Sequence, residues 1–209
     1  MTEAIQAYDP AVDAPVHHHP IFDYDSGPPV DRAKFAIWLF LGTEVMFFAG
    51  LIGTYIVLRM GSAAWPNPED RLAVGLTAFN TFVLITSSWL MVKALHAIQK
   101  GDRKGLIAWL GATILGGAFF VGVQVYEYIE LIGHGSTPNA DIFWSTFYAM
   151  TGFHGFHVFV GIVWLFWAWT AAMRGSFTKE NYLRLELAGL YWHFVDLVWV
   201  LLFTIVYLM

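Results

Sequence analysis

The sequence predicts an all-α polytopic membrane protein, a bundle of five transmembrane helices with the N-terminus in the cytoplasm and the C-terminus outside. Its 209 residues are 57% hydrophobic and only 13% charged, and the mean hydropathy of +0.56 is too high for a soluble domain of this size. Five apolar stretches can each cross about 30 Å of hydrocarbon, which takes about 20 helical residues. Most of the basic residues fall on one side of the resulting arrangement.

The elements follow in chain order. Residues 1–33 are an extended cytoplasmic tail, rich in Asp and Pro and without an apolar run, so this tail has no core of its own. Its triplet His17–His19 is best interpreted as solvated polar residues, with metal binding or proton buffering as the alternative. Residues 34–209 form the transmembrane domain, with spans predicted at about 34–58, 72–95, 106–129, 142–173 and 185–208. Gly, Pro, Asn and charged residues separate the spans, as turns require.

The distribution of Lys and Arg predicts the orientation. With the N-terminus inside, the cytoplasmic ends carry Arg32, Lys34, Lys93, Lys100, Arg103, Lys104, Arg174, Lys179 and Arg184. The outer ends carry Arg59 and Arg71 alone. Basic residues concentrate on the cytoplasmic side of membrane proteins, so this asymmetry places the N-terminus inside.

Five ionisable residues lie near the midplane of the predicted spans: Glu44, His154, His157, His193 and Asp196. A charge at the bilayer centre costs at least about 2.5–3.5 kcal/mol, so these residues are expected to face the bundle interior as one buried polar network. The two histidines of span four, and the histidine and aspartate of span five, are i,i+3 pairs that share a helix face.

Each member of this network has a functional and a structural interpretation. Glu44 is either a proton-relay or ligand carboxylate, or an acid hydrogen-bonded to a neighbouring helix. His154 and His157 could bind a metal with Glu44 or His193, or bridge helices by hydrogen bonds. Asp196 could orient His193 for proton transfer, or the two could anchor helices. The structural interpretation is favoured throughout, so the sequence predicts no catalytic residue and no metal site.

Charged residues at the ends of the spans give a second set of candidates. Arg174, Lys179 and Arg184 lie at the inner ends of spans four and five, where they are either topology signals or a clamp for phospholipid phosphates. Glu127 and Glu130 lie at the outer end of span three, where neither is expected to need a pairing partner.

Composition excludes several classes of function. The chain has no cysteine, which removes disulfides, thiolate nucleophiles, iron–sulfur clusters and any cysteine-based zinc or copper site. The net charge of -5 gives no basic surface for nucleic acid.

Five segments, one in each span and in order, resemble a known family. They are Glu-Val-Met-Phe-Phe-Ala-Gly (44–50), Asn-Thr-Phe-Val-Leu-Ile-Thr-Ser-Ser (80–88), Gly-Val-Gln-Val-Tyr-Glu-Tyr (122–128), Thr-Gly-Phe-His-Gly-Phe-His-Val (151–158) and Tyr-Trp-His-Phe-Val-Asp-Leu-Val-Trp (191–199). Together they resemble subunit III of the haem–copper respiratory oxidases, in its five-helix bacterial form, over roughly residues 34–209. The tail has no counterpart in this resemblance.

The resemblance implies roles for individual residues. Glu44 matches the family's carbodiimide-reactive membrane glutamate, and the other four midplane residues match its buried polar network. Arg174 falls near a basic residue that the family uses for phospholipid, and Glu186 falls on a family glutamate. The expected lipid-binding residues are therefore Arg174, Lys179, Arg184 and Glu186. The chain lacks the first two spans of the seven-span members, so a lipid-filled cleft of the family's kind would need helices from a neighbouring subunit.

The resemblance also implies a function. It is that of a non-redox accessory subunit of a proton-pumping cytochrome c oxidase in the bacterial cytoplasmic membrane, active in aerobic respiration. Such a subunit packs on subunit I, which carries haem and copper, binds structural phospholipid, supports proton uptake and protects the active site from turnover inactivation. It holds no cofactor itself. The equivalent subunit of a quinol oxidase, or a homologue associated with nitric oxide reductase, stays open.

Two functions of a different class also remain. An independent proton-coupled transporter would use Glu44 and the histidines, although five spans without an internal repeat disfavour it. A haem-binding redox protein would show a Soret band in the isolated chain.

Overall fold

Five long helices make up most of the part of the chain that the computed structural model describes, residues 31–63 and 65–209. They are α1 (Arg32–Gly61), α2 (Val74–Gln99), α3 (Arg103–Gly133), α4 (Ile142–Met173) and α5 (Leu183–Phe203), which continues as a π-helical turn, Thr204–Leu208. All five are long and apolar enough to cross a membrane, which confirms the predicted fold class. With the π-helical turn counted as part of the fifth span, the ends differ from the predicted spans by at most four residues. The tail up to residue 30, with His17–His19, lies outside the described residues.

The helix ends carry local signals that explain where each helix begins and stops. The side chains of three aspartates, Asp31, Asp102 and Asp141, accept hydrogen bonds from the first-turn N–H groups of α1, α3 and α4 at 2.8–2.9 Å. Such N-caps satisfy backbone donors that have no partner within the helix. Gly101, Gly135 and Gly175 follow α2, α3 and α4 with φ of 77°, 83° and 79°, a conformation that ends helices and favours glycine.

The helices do not pack equally. α2 and α3 form an extensive antiparallel pair, α4 packs on α3 and α5, and α5 also lies on α2. By contrast, α1 packs peripherally against α4 and α5, and only 11% of its most apolar 18-residue stretch is buried inside the protein. Exposed apolar side chains such as Trp38, Met46 and Val57 therefore face either lipid or another protein in the membrane.

The core is centred on Trp192 of α5, which is 1% exposed. Its ring lies against Gly117 of α3 and Gly161 of α4, where an added Cβ would come within 2.5 and 2.9 Å of ring carbons. Its Nε1–H donates to the Ser87 hydroxyl of α2 at 3.1 Å. One tryptophan thus fixes the relative positions of four helices, because the two glycines leave room for it.

Candidate functional site

Glu44 and His157 form the clearest contact among the predicted polar residues. Glu44 lies on α1 and His157 on α4, with Glu44 Oε2 and His157 Nε2 3.0 Å apart. Both side chains are largely buried, with 18% and 14% of their surface exposed. The rings of Phe47 and Phe48 lie around the imidazole, with centroids 6.1 and 5.1 Å away. The pair therefore joins the peripheral α1 to the bundle through a polar contact in apolar surroundings.

The hydrogen bonds of His157 determine what this pair can do chemically. Its Nδ1 lies 2.7 Å from the carbonyl oxygen of Phe153, and because a carbonyl only accepts, Nδ1 carries a proton. Nε2 and Glu44 Oε2 then share one further proton, as acid and neutral imidazole or as carboxylate and imidazolium. Either form satisfies both groups, so the pair can hold or pass one proton without leaving an isolated charge.

His154 has a different environment from His157. It is 0% exposed and stacks on Trp199, with ring centroids 4.9 Å apart, and also contacts the ring of Phe120. Within the described residues neither of its nitrogens has a hydrogen-bond partner. His154 thus acts in the structure as an aromatic core residue.

His193 and Asp196 lie on α5 and meet α2 instead of α1. Nδ1 of His193 is 3.3 Å from the Ser88 hydroxyl, and Ser88 also interacts with the Asp196 carboxyl. The structure therefore corrects the expectation of one polar network, since the hydrogen bonds do not connect all five midplane residues. The reason is geometric: residues three apart differ by about 60° around a helix, enough to direct His154 and His157 to different neighbours.

A set of hydrogen bonds that the sequence analysis missed ties α5 to α2 and α3. Besides the bond from Trp192 to Ser87, Nε1–H of Trp199 donates to the Thr81 hydroxyl at 2.8 Å, and the Tyr207 hydroxyl donates to Glu127 at 3.2 Å. The signal was present as polar residues at helical spacing along α2: Thr77, Asn80, Thr81, Ser87 and Ser88. Because hydroxyl and amide groups do not ionise, these residues were not among the predicted site residues.

Glu127 requires a correction. It was predicted to need no pairing partner, but it is only 4% exposed and accepts hydrogen bonds from Tyr207, Thr77 and Gln124. The position near the end of α3 suggested solvent, yet the π-helical turn and α2 cover this face of the helix. Glu130, three residues on, is exposed.

Two of the four predicted lipid-binding residues share a cavity. Arg174 and Arg184 line a space of about 280 Å³ together with Trp167, Ser176 and Asn181, among others. It lies where α4 ends and α5 begins, at the end of the bundle predicted to be cytoplasmic. Two guanidinium groups beside hydroxyl and amide groups form an arrangement suited to a phosphate.

The other two predicted lipid-binding residues lie elsewhere. The Lys179 side chain covers Gly101 in the turn between α2 and α3, so closely that a Cβ at residue 101 would overlap it. Glu186 forms an ion pair with Lys34 of α1 at 2.8 Å. It also lines a different cavity of about 460 Å³, between α2 and α5, with Lys93, His96 and His193 among its lining.

Residues 31–63 and 65–209 hold no group of three or more His, Asp or Glu side chains placed to bind one metal ion. The two histidines of α4 face different partners, as described above.

Replacing His154 with phenylalanine is expected to leave the protein assembled. Because its imidazole packs as a ring and makes no hydrogen bond to described residues, this near-isosteric change should cost less than about 1.5 kcal/mol. The measurement is the temperature at which the purified protein unfolds in detergent. His157→Phe is the matched control, since it leaves Glu44 without its partner and should lower that temperature further. Equal losses for the two variants would contradict the assignment of His154 to the apolar core.

Comparison with known proteins gives a consistent result over most of the chain. The sequence profile of the family described as cytochrome c oxidase subunit III matches residues 28–209. The chain is 40% identical over 182 residues to the cytochrome c oxidase subunit 3 of Synechocystis sp., covering 86% of this chain and 76% of that one. It is 36% identical over 172 residues to the quinol oxidase subunit 3 of Bacillus subtilis, covering 82% and 84%. With the cytochrome bo(3) ubiquinol oxidase subunit 3 of Pseudomonas aeruginosa it shares 36% identity over 186 residues, covering 89% and 88%.

Proposed function

Since this chain belongs to the cytochrome c oxidase subunit III family, and is thus a multi-pass subunit III of a haem–copper oxidase complex, we propose that it serves a proton-pumping cytochrome c oxidase. In this proposal it is a non-redox accessory subunit in the bacterial cytoplasmic membrane, and haem and copper reside in partner subunits. The observation that carries the proposal is the family match over nearly all of the described chain. The relative with 40% identity, named as a cytochrome c oxidase subunit, supports the choice of donor.

A quinol oxidase is the second candidate. It is favoured by the relatives from Bacillus subtilis and Pseudomonas aeruginosa, which are named as quinol and ubiquinol oxidase subunits. The electron donor binds to other subunits, so the two candidates predict the same properties for this chain.

Gentle detergent purification through this chain separates the candidates. We expect a complex that contains a haem–copper subunit and oxidises reduced cytochrome c, with no haem on this chain once it is separated. Oxidation of quinol but not of cytochrome c would replace the donor in the proposal. A colourless chain that purifies alone would contradict the accessory function.

The main partner in this proposal is oxidase subunit I. The support is the exposed apolar surface of α1, together with the polar Glu44–His157 contact that holds α1 on the bundle. We expect a complex depleted of this chain to begin turnover at a normal rate and then to inactivate sooner. Inactivation at an unchanged rate would remove the protective function from the proposal.

We also propose that the tail supports proton uptake by the complex. A chain that begins at residue 31, assembled in the same complex, tests this role. Slower proton uptake is expected, and unchanged uptake would contradict it.

Structural phospholipid is the proposed ligand of the cavity at Arg174 and Arg184. The two basic side chains contribute about 1 kcal/mol each to an anionic headgroup. Arg174→Gln with Arg184→Gln is therefore expected to weaken retention of anionic phospholipid by about thirtyfold, measured as lipid per complex after graded delipidation. Lys179→Gln is the matched control, because Lys179 lies over Gly101 and does not line the cavity. Equal lipid loss in the control and the double variant would argue against this cavity as the site.

A further inference from the structure

A cavity of about 340 Å³ opens beside Glu127 at the end of the bundle opposite the lipid cavity. We call this end the outer face: it carries the C-terminal ends of α1, α3 and α5 and the N-terminal ends of α2 and α4. Besides Glu127, its lining includes Asp70, Arg71, Glu130 and His134. Glu127, although buried, is thus one of the residues that border this cavity.

The partners of Glu127 are neutral oxygen and nitrogen groups. The Tyr207 hydroxyl lies 3.2 Å from Oε2, the Thr77 hydroxyl 3.3 Å from Oε1, and the Gln124 amide nitrogen 3.5 Å from Oε2. No basic side chain of the described residues forms an ion pair with Glu127. Burying a carboxylate is unfavourable in free energy unless a positive charge accompanies it. This site therefore requires a proton or a cation.

Gln124 supplies an independent indication of a ligand. It is 5% exposed, and its Oε1 has no hydrogen-bond partner among the described residues, although its amide points at the Glu127 carboxylate. Oxygen and nitrogen of an amide are placed by their partners. Rotating this amide by half a turn places Oε1 beside the carboxylate, where two acceptors face each other and the contact is stable only with a proton or a cation between them.

The basic groups around the cavity already have other partners. Arg71 pairs with Asp141, with Nη1 3.2 Å from Oδ2. Nδ1 of His134 is 2.8 Å from the backbone carbonyl of Glu130. Asp70 and Glu130 add two further carboxyl groups to the lining, so the cavity favours a cation that enters from the outer face.

We propose that Glu127, Thr77, Tyr207 and Gln124 form a binding site for a monovalent hard cation, of which sodium is the type. A carboxylate, two hydroxyls with free lone pairs and an amide oxygen provide hard oxygen ligands. Glu127 is the only anionic member of this set, and over residues 31–63 and 65–209 no three His, Asp or Glu side chains converge on one point. One negative charge is balanced by one positive charge, which selects a monovalent ion over calcium.

The test compares the heat stability of the purified oxidase complex in sodium, potassium or choline chloride at one ionic strength. We expect sodium to raise, in a saturable way, the temperature at which this chain leaves the complex, and choline to have no such effect. Glu127→Gln should abolish the sodium dependence. Thr77→Val, a milder change, should raise the sodium concentration for half the effect about tenfold or more. Tyr126→Phe is the control on the same helix and should behave as wild type, because Tyr126 is exposed and does not line the cavity.

Two results would overturn the proposal. Wild-type stability that is the same in sodium and choline, or that rises only with calcium, would exclude a monovalent cation site. The second result is an infrared carbonyl band of a protonated carboxyl group that persists in wild type at saturating sodium and is absent from Glu127→Gln. Such a band would show that a proton occupies the site instead. If Glu127→Gln does not assemble, Thr77→Val identifies the band by a change in its frequency, because this variant removes a hydrogen bond to the Glu127 carboxyl group.

Discussion

Replacing Gly117 with valine is expected to remove most of this chain from the assembled oxidase. A Cβ at residue 117 would lie 2.5 and 2.9 Å from two ring carbons of Trp192 and 3.2 Å from Ile162. The Trp192 ring cannot retreat, because Gly161 on α4 receives its other side and Ser87 holds its Nε1. Overpacking of a well-filled core typically costs about 1–3 kcal/mol, and valine adds two methyl groups beyond Cβ. The measurement is the amount of this chain per haem in the purified complex.

Gly122→Val provides the matched control. Residue 122 lies on the same helix, and no atom lies within 4 Å of an added Cβ there, so the chain should assemble at the wild-type level. The double variant Gly117→Val with Trp192→Leu should recover part of the lost assembly, because the smaller side chain makes room for valine. A single Gly117→Val variant that assembles fully would show that Trp192 does not fix the helices as described.

The five helices could be predicted because hydropathy, length and turn residues all act locally. Asp102 and Asp141 cap helices, and Gly101 and Gly175 end them, through contacts within a few residues of their own positions. The contact between Glu44 and His157 could be predicted for a similar reason. Both residues are ionisable and lie near the midplane, and a buried ionisable group requires a partner. Sequence reasoning works where one residue's chemistry restricts its neighbours this strongly.

The choice of partner for each side chain could not be predicted from depth alone. His154 and His157 are three residues apart, yet one stacks on Trp199 of α5 and the other pairs with Glu44 of α1. Rotation about the helix axis decides between these neighbours. That rotation depends on packing, including the fit of Trp192 between two glycines, which no local pattern encodes.

Glu127 shows the same limit at a helix end. A glutamate near the end of a span is ordinarily assigned to solvent, and Glu130 on the same helix conforms to that rule. Glu127 is instead covered by the π-helical turn that carries Tyr207, 80 residues further along the chain. The polar residues of α2 that begin at Thr77 could have indicated this contact, because a hydroxyl group in an apolar helix also forms hydrogen bonds to neighbouring helices.

Modification of Glu44 by a hydrophobic carbodiimide is the second large effect that we expect. The reagent dissolves in the bilayer and reacts with a protonated carboxyl group, and Glu44 shares a proton with His157 on a helix whose surface is mostly exposed to the membrane. Glu127 is 4% exposed and covered by Tyr207, so it should react far less. Mass spectrometry of the labelled chain should place the adduct on Glu44, and Glu44→Gln should abolish it.

The initial oxidase activity of Glu44→Gln should nevertheless stay within about twofold of wild type, a change of about 0.4 kcal/mol in the barrier. The glutamine amide can donate to Nε2 of His157 and so retain the contact between α1 and α4. Hydrogen bonds of this kind in membranes contribute only about 0.6 kcal/mol on average. A first turnover abolished by Glu44→Gln would assign the pair to catalysis and contradict the accessory function of this chain.

His157→Phe distinguishes a proton-sharing pair from an isolated acid. The change removes the base that competes for the proton of Glu44, so labelling by the carbodiimide should become faster in this variant than in wild type. His154→Phe should leave the labelling rate unchanged, because His154 contacts Trp199 and Phe120 and makes no hydrogen bond to Glu44. Slower labelling in His157→Phe would mean that the imidazole presents the carboxyl group to the reagent. The pair would then bridge α1 and α4 without competing for the proton.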